Sequence, residues 1–373
     1  IYISFDNLFS LKNIVIKDVI LENANFYFNK QNSNFFIKLL DNEFLENSLT
    51  IKNSNIFFKN FEKDVLFINK IIKMKYYYDP KVLKNIFYSK NEIFNIPYSF
   101  RLYKDKKEKK IFSIINLNFL KLQIENEIDY SNIQKKGSVN FIYNRNKSKV
   151  SYKLNKDSLN FKFFDKLINP NFFYEGNVSF KPFYSLFKGN TDKINFSNFY
   201  YSESLFSQIL KTEILNNKNL NIDVNIDAKK IIPFQKVIDL MLKFRIYKGL
   251  IDIDDTKFSW SEFVDFKIMN SLLYVKENQL ILDGKLTLDI KNYSEIYKFL
   301  QTSKNLRPKL NEIELDFNYN FDQQIIYFNN IKIDNKFNKK INEVLKKMIF
   351  KKNRLQNKIY FKNMMNKAIV AYS

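Results

Sequence analysis

Leu220-Asn221-Ile222-Asp223-Val224-Asn225-Ile226-Asp227 alternates apolar and polar side chains without a fault, and Ile313-Glu314-Leu315-Asp316-Phe317-Asn318-Tyr319-Asn320-Phe321-Asp322 repeats the pattern. Successive side chains of an extended strand point to opposite faces, so a two-residue period marks strands with one apolar and one wet face. Leu280 and Leu282, then Leu286, Leu288 and Ile290 across Gly284, continue the theme. Shorter versions occur at Val139, Phe141 and Tyr143, at Val150, Tyr152 and Leu154, and at Leu159, Phe161 and Phe163, separated by polar turns such as Asn144 to Lys147. One-sided strands joined by short polar turns predict a meander of antiparallel hairpins.

Near the beginning, Leu21-Glu22-Asn23-Ala24-Asn25-Phe26-Tyr27-Phe28 is echoed 30 positions later by Ile51-Lys52-Asn53-Ser54-Asn55-Ile56-Phe57-Phe58. A repeat of this length is how stacked sheets are built, each unit burying its face against the next. Chance matching in an Asn-rich sequence explains two copies equally well.

Helices are expected only as interruptions. Asp79-Pro80, with Leu83, Ile86 and Phe87 on one face, predicts a short helix over Pro80 to Tyr88. Others are expected at Ser204 to Leu215, Pro233 to Lys243 and Ser294 to Thr302. The clearest helical period lies at Phe337, Ile341, Val344, Leu345, Met348 and Ile349, opposite Lys339, Lys340, Lys346 and Lys347. Beyond Arg354, residues Ile359, Tyr360, Phe361, Met364 and Met365 fit a helix loosely. The fold class is therefore mainly β: a long curved antiparallel sheet or open β-groove of repeated hairpins, with a few short helices and a helical C-terminus. Three regions are expected: an N-terminal β-repeat region, 1–169, divided at Asn169-Pro170 from a β region with short helices, 170–336, and a basic amphipathic tail, 337–373.

Composition limits the function classes. At 45% hydrophobic and 17% aromatic the chain has enough apolar mass to fold, and Phe, Tyr and Ile favour strands. The net charge of +22 comes with Lys and Asn enrichment, which A/T-rich codons produce without any anionic ligand. The basic residues are scattered among the acidic ones and no nucleic-acid-binding signature appears, so nucleic acid ranks last among partners. No run of eighteen or so apolar residues is present, so no helical span is expected. The sequence opens at Ile1, which suggests that an N-terminal signal or anchor precedes it.

With neither His nor Cys, the chain has no His-based triad, no imidazole zinc ligand and no disulfide. Asp252, Asp254 and Asp255 follow Gly249, and the first two share a strand face at a spacing that suits a hard cation such as Ca²⁺. A solvated outer face ending in a turn accounts for them more simply. Lys104 to Lys110 reads as an exposed hairpin tip of mixed charge. The helix at Phe337 to Ile349 suits an anionic membrane surface, and packing of its stripe on the sheet end suits it better. No cofactor and no catalysis are expected.

From Leu220 onward the chain resembles the AsmA family of Gram-negative envelope proteins. The resemblance runs through Lys248-Gly249-Leu250-Ile251-Asp252-Ile253, the lone Trp260 after Phe258, Leu280-Ile281-Leu282-Asp283-Gly284, Arg307-Pro308, Ile313 to Tyr319, Ile331-Lys332-Ile333-Asp334 and Ala371-Tyr372-Ser373. It implies an inner-membrane anchor before this segment, a periplasmic curved sheet with an apolar concave surface, and a role in phospholipid traffic or outer-membrane assembly, with envelope proteins as partners. A one-sided sheet must cover its apolar face with another sheet, with helices or with acyl chains. The groove candidates are Leu220, Ile222, Val224, Ile226, Leu280, Leu282, Leu286, Leu288, Ile313, Leu315, Phe317 and Tyr319, with Asp223, Asn225, Asp289, Glu314 and Asp316 facing water. The competing reading is a structural or adhesive β protein with a dry core and a protein or glycan partner.

Overall fold

Alternation becomes strand throughout the computed structural model, which describes residues 1–5, 16–28, 48–59, 65–164, 173–180, 183–195, 204–232, 234, 236–346, 350–351 and 357–372. The chain divides into two compact units, Ile1–Phe163 and Phe164–Ser373. The expected boundary at Asn169-Pro170 lies outside the described residues, as do Pro233, Lys347, Met348, Ile349 and Arg354.

In the first unit β1 (Tyr2–Phe5) pairs antiparallel with β2 (Ile16–Glu22), while β2 and β3 (Asn25–Phe28) both lie parallel against β4 (Ser48–Lys59). A meander follows: β5 (Val65–Asp79), β6 (Lys84–Ile93), β7 (Ile96–Asp105), β8 (Lys110–Leu117), β9 (Leu122–Asp129), β10 (Lys135–Tyr143), β11 (Asn146–Leu154) and β12 (Ser158–Phe164), each antiparallel to the one before. The turns use the residues the sequence offers in place of glycine. Asn144 and Arg145, for example, both take positive φ between β10 and β11.

The repeat near the N-terminus is a structural one. Leu21 pairs with Ile51, Asn25 with Asn55 and Phe26 with Ile56, so every pair across this stack joins a residue to its counterpart 30 positions on. Like side chains stack on like: Asn55 Nδ2 donates to Asn25 Oδ1 at 3.1 Å, and the rings of Tyr27 and Phe57 stack at 5.3 Å. Asn23 and Asn53 take the same positive φ, 55° and 47°, which bends both rungs at the same place. At the bend Ser54 Oγ, 1% exposed, accepts from the Ala24 N–H at 3.0 Å and donates to the Lys52 carbonyl at 2.7 Å.

The second unit is also sheet. Its strands are β13 (Phe173–Phe180), β14 (Phe183–Asn195), β15 (Asn221–Ile232), β16 (Val237–Tyr247), β17 (Leu250–Asp252), β18 (Lys257–Trp260), β19 (Val264–Lys276), β20 (Gln279–Ile290), β21 (Glu312–Asn320), β22 (Ile325–Ile333), β23 (Lys336–Phe337) and β24 (Phe350–Lys351). Neighbours are antiparallel except β14 and β15, which run parallel and are linked through the helix α1 (Leu205–Lys211). The fold class is as expected, mainly β with short helices and a helical C-terminus, and the sheet is mixed rather than wholly antiparallel. Two of the strand glycines in this unit, Gly189 and Gly284, sit beneath a ring from the directly paired residue, Tyr174 and Phe317; a Cβ on Gly284 would come within 2.9 Å of Phe317. Gly137 is covered in the same way by Tyr152 in the first unit.

Two expected helices are strands. Asp79-Pro80 opens a turn in which Asp79 Oδ1 accepts from the Lys81 N–H at 2.9 Å; Leu83 is left exposed at φ 55°, and Ile86 is fully buried within β6. Pairing with β5 and β7 on both sides outweighs a one-face helical spacing only a few residues long. Val237 to Lys243 belongs to β16, where Leu240, Leu242, Phe244 and Ile246 alternate inward between β15 and the β17 and β18 strands. The helix expected over Ser204 to Leu215 forms over Leu205–Lys211, with Ser204 Oγ accepting from the Ser207 N–H, and a separate 3₁₀ turn, Ile214–Asn216, follows it. The helix expected from Phe337 is shorter: Phe337 ends β23, and α-helix is described from Lys339 to Lys346.

Because Ser54 satisfies two backbone groups at a buried bend, Ser54→Ala is expected to destabilise the N-terminal unit by about 1–3 kcal/mol. Urea unfolding of the purified chain should show the lowered midpoint, and hydrogen exchange should show the Ala24 amide losing protection.

Candidate functional site

The inward face of β20 carries Leu280, Leu282, Gly284, Leu286, Leu288 and Ile290, and β21 sets Tyr319, Phe317, Leu315 and Ile313 opposite the middle four. Two different covers lie over this face. At the Leu280 end α1 buries Leu210 against Ile246, Ile251, Leu273 and Phe321. At the Leu288 end three helices close over it: α2 (Tyr293–Leu300), α3 (Lys339–Lys346) and α4 (Lys358–Tyr372).

Each of the three is fixed by amide side chains. Asn292 caps α2 by accepting from the Glu295 N–H at 3.2 Å, which turns Tyr297 and Leu300 inward. Asn342 of α3, buried, accepts from the Ile331 N–H at 2.9 Å and donates to the Ile331 carbonyl at 3.0 Å, clamping the helix to β22 where the Asn330 bulge interrupts the ladder. Asn357 caps α4, and Asn366 ties it to α2 by donating to the Leu300 carbonyl at 2.9 Å and accepting from Thr302 Oγ1.

Between helices and sheet lies a cavity of about 340 Å³. Every residue lining it is aliphatic, aromatic or methionine: Leu286, Leu288, Ile313 and Leu315 form the floor, Trp260 a side wall, and Leu300, Met364 and Ile369 part of the roof. Tyr297 brings a hydroxyl, but it donates to the Pro308 carbonyl at 2.7 Å, and burial pushes its pKa up to about 12, so the wall is uncharged at neutral pH. Apolar voids of about 150 Å³ stay dry and admit small hydrocarbons, and this one is larger. Its lining residues carry no carboxylate, ammonium or guanidinium group.

The twelve groove candidates divide among several surroundings. Leu286, Leu288, Ile313 and Leu315 line the cavity. Leu220, Ile222, Leu280, Leu282 and Tyr319 pack in the cluster under α1, and Ile226 joins Ala228, Ile231 and Leu240 in another. Phe317 lies over Gly284 between the two covers, and Val224 pairs with Phe187 and Phe244 without joining a cluster. On the outward face Asp289 is exposed, Asp223 accepts from the Tyr184 hydroxyl at 2.7 Å, Asp316 accepts from Asn330, and Glu314 lies 4.0 Å from Lys332.

The carboxylates near Gly249 do not converge. Asp252 takes the Arg245 guanidinium at 3.0 Å, Asp254 accepts both the Ser271 N–H and hydroxyl at 2.6 Å, and Asp255 pairs with Lys267, whose ammonium holds its carboxyl below the usual range. Among the described residues no group of three metal-ligating side chains occurs. The Lys104 to Lys110 segment is a hairpin tip, with Lys106 to Lys109 exposed between β7 and β8. The stripe of α3 packs onto the sheet end through Ile341 and Leu345.

The roof residues of α4 do not stand out in the sequence. Phe361, Met364, Met365, Ala368, Ile369 and Tyr372 recur at helical spacing, but the apolar Ile359 and Val370, both exposed, blur the stripe. No protein-family model matches the chain, and no curated protein matches it. No helix of the described residues is long and apolar enough to cross a membrane.

Asn342 binds both polar groups of a buried backbone position, so Asn342→Leu should leave the Ile331 N–H and carbonyl unpaired at a cost of about 1–3 kcal/mol. Thermal unfolding should show the loss, and exchange of the Ile331 amide should accelerate more than that of amides in β15.

Proposed function

We propose that this chain is a non-catalytic lipid-handling protein whose C-terminal unit receives an acyl chain between the β20–β22 face and the helices α2, α3 and α4. The observation that carries the reading is the cavity, whose wall of side chains is hydrocarbon and thioether apart from the fully engaged Tyr297 hydroxyl and the polar tips of Trp260 and Tyr372. Hydrocarbon offers no groups to be read individually, so a tolerant apolar wall suits it, and removing the chain from water supplies the driving force.

In the cell this activity would serve phospholipid movement between inner and outer membranes, or outer-membrane assembly, from a periplasmic position anchored to the inner membrane, in keeping with the AsmA resemblance. The surplus of 61 basic over 39 acidic residues favours encounter with anionic membrane surfaces. A second reading, a structural or adhesive protein with an ordinary core, draws support from the cluster under α1, where five of the groove candidates are packed by Leu210 and Phe206.

Trp260 is the only tryptophan and stands in the cavity wall, so its emission reports on occupancy. A dibrominated fatty acid should quench it saturably, and mass spectrometry of an organic extract should find lipid in stoichiometric amount. Leu315→Asp puts a carboxylate on the cavity floor, where an unpaired charge costs several kcal/mol or takes up a proton; quenching and bound lipid should both be lost from the variant that remains folded. A parent protein that carries no lipid and shows no quenching, with Leu315→Asp unfolded, would leave the structural reading in place.

A further inference from the structure

Beside the apolar cavity lies a second, polar space of about 230 Å³, lined by Gln301, Lys358, Ile359, Lys362, Asn363 and Asn366, with Leu300 common to both. On α4 the two spaces take adjoining faces: Phe361, Met364, Met365 and Ala368 turn to the apolar one, Lys358, Lys362, Asn363 and Asn366 to the polar one. Cations gather at this end of the helices. The ammonium groups of Lys236, Lys362 and Lys358 lie 4.9, 5.3 and 5.8 Å from the centre of one ring, that of Phe299, which itself packs edge-on against Trp260 at 4.8 Å. The neighbouring Glu295 is taken by Lys298, and among the described residues none of the three lysines around Phe299 has an ion pair. Each of the three ammonium groups is drawn to the negative face of that ring.

Resting on the acyl-chain reading of the cavity, we infer that this polar space is a headgroup site, and that the ligand is an anionic lysophospholipid whose phosphate is held by Lys358 and Lys362 while its single chain enters past Leu300. The one-chain stoichiometry follows from size, because about 340 Å³ lies near the lower end of ligand pockets, which run from about 300 to 1,000 Å³. The phosphate follows from the lining, which brings Lys358 and Lys362 together with Gln301 and Asn363 and includes no carboxylate. Ammonium and amide N–H groups donate to phosphate oxygens, and charge-assisted bonds of this kind are the stronger class.

The test uses the full chain and Trp260 emission in competition with a dibrominated fatty acid, with three probes: oleoyl lysophosphatidylglycerol, oleate and uncharged monoolein. The lysophospholipid should bind at least about tenfold more tightly than monoolein, since a charge-assisted hydrogen bond is worth that much. Lys358→Glu/Lys362→Glu should abolish the preference while monoolein still competes with the dibrominated fatty acid and circular dichroism and the melting temperature match those of the parent; Lys358→Ser/Lys362→Ser should do the same more mildly. Equal binding of all three probes by parent and variants would overturn the headgroup site while keeping the acyl cavity. Oleate preferred over the lysophospholipid would overturn the phosphate assignment in favour of a carboxylate. Failure of every probe would overturn the cavity reading itself.

Discussion

Hiding the inward face of β20 and β21 from water is the demand around which the C-terminal unit is organised. Leu280, Leu282, Leu286, Leu288 and Ile290 on one face of β20 create an apolar band longer than any one of the helices laid over it, so the band is covered in pieces. Over Leu280 and Leu282 the short helix α1 drops Leu210 straight onto the sheet. Gly284 then removes one side chain from the band and lets the ring of Phe317 lie across the gap. Past it, three helices cover Leu286 and Leu288, and their positions are set at the rim by the amides of Asn292, Asn342 and Asn366. Clamped at the rim, they bridge the band without filling it.

The polar chemistry of this unit is arranged to leave that space uncharged. Carboxylates on the outward face are engaged across strands: Asp283 by Tyr274 and Asn318, Asp265 by Lys291 and Ser259. These pairs are half exposed and add little stability each, but they keep charge on the side of the sheet away from the cavity. The hydroxyl of Tyr297, the best placed to intrude, is spent on the Pro308 carbonyl. Chemical character is thus divided by strand parity, with position in the chain deciding which face a residue joins.

How much of this the sequence discloses depends on how local the cause is. The strands at Ile222 and Leu315 are legible because alternation is a property of neighbouring residues. The 30-residue echo is legible as a repeat, yet its meaning needs the parallel pairing of Asn25 with Asn55, which no local pattern encodes. Pro80 is ambiguous in the sequence because a proline that suits a helix start suits a turn before a strand equally well, and only pairing partners elsewhere decide. The candidate site was half legible: the floor residues Leu286, Leu288, Ile313 and Leu315 stand out by alternation, whereas the split of the band between two covers depends on helices that arrive from distant parts of the chain. Lys236 and Lys362 meet at Phe299 only in the fold.

The parallel stack of β2 and β3 on β4 also sets a rule for how this protein tolerates change in length. Equivalent residues face each other at one constant offset on both sides of the bend at Asn53. Duplicating a whole rung would lengthen the stack by one strand spacing, about 4.8 Å, and reproduce the same pairs at each junction. Adding or deleting a single residue within a rung would move each later side chain to the opposite face and set Asn against aromatic. In genetic terms the region is quantised: it can grow or shrink by whole rungs, and the Asn ladder serves as the ruler that marks where each must begin.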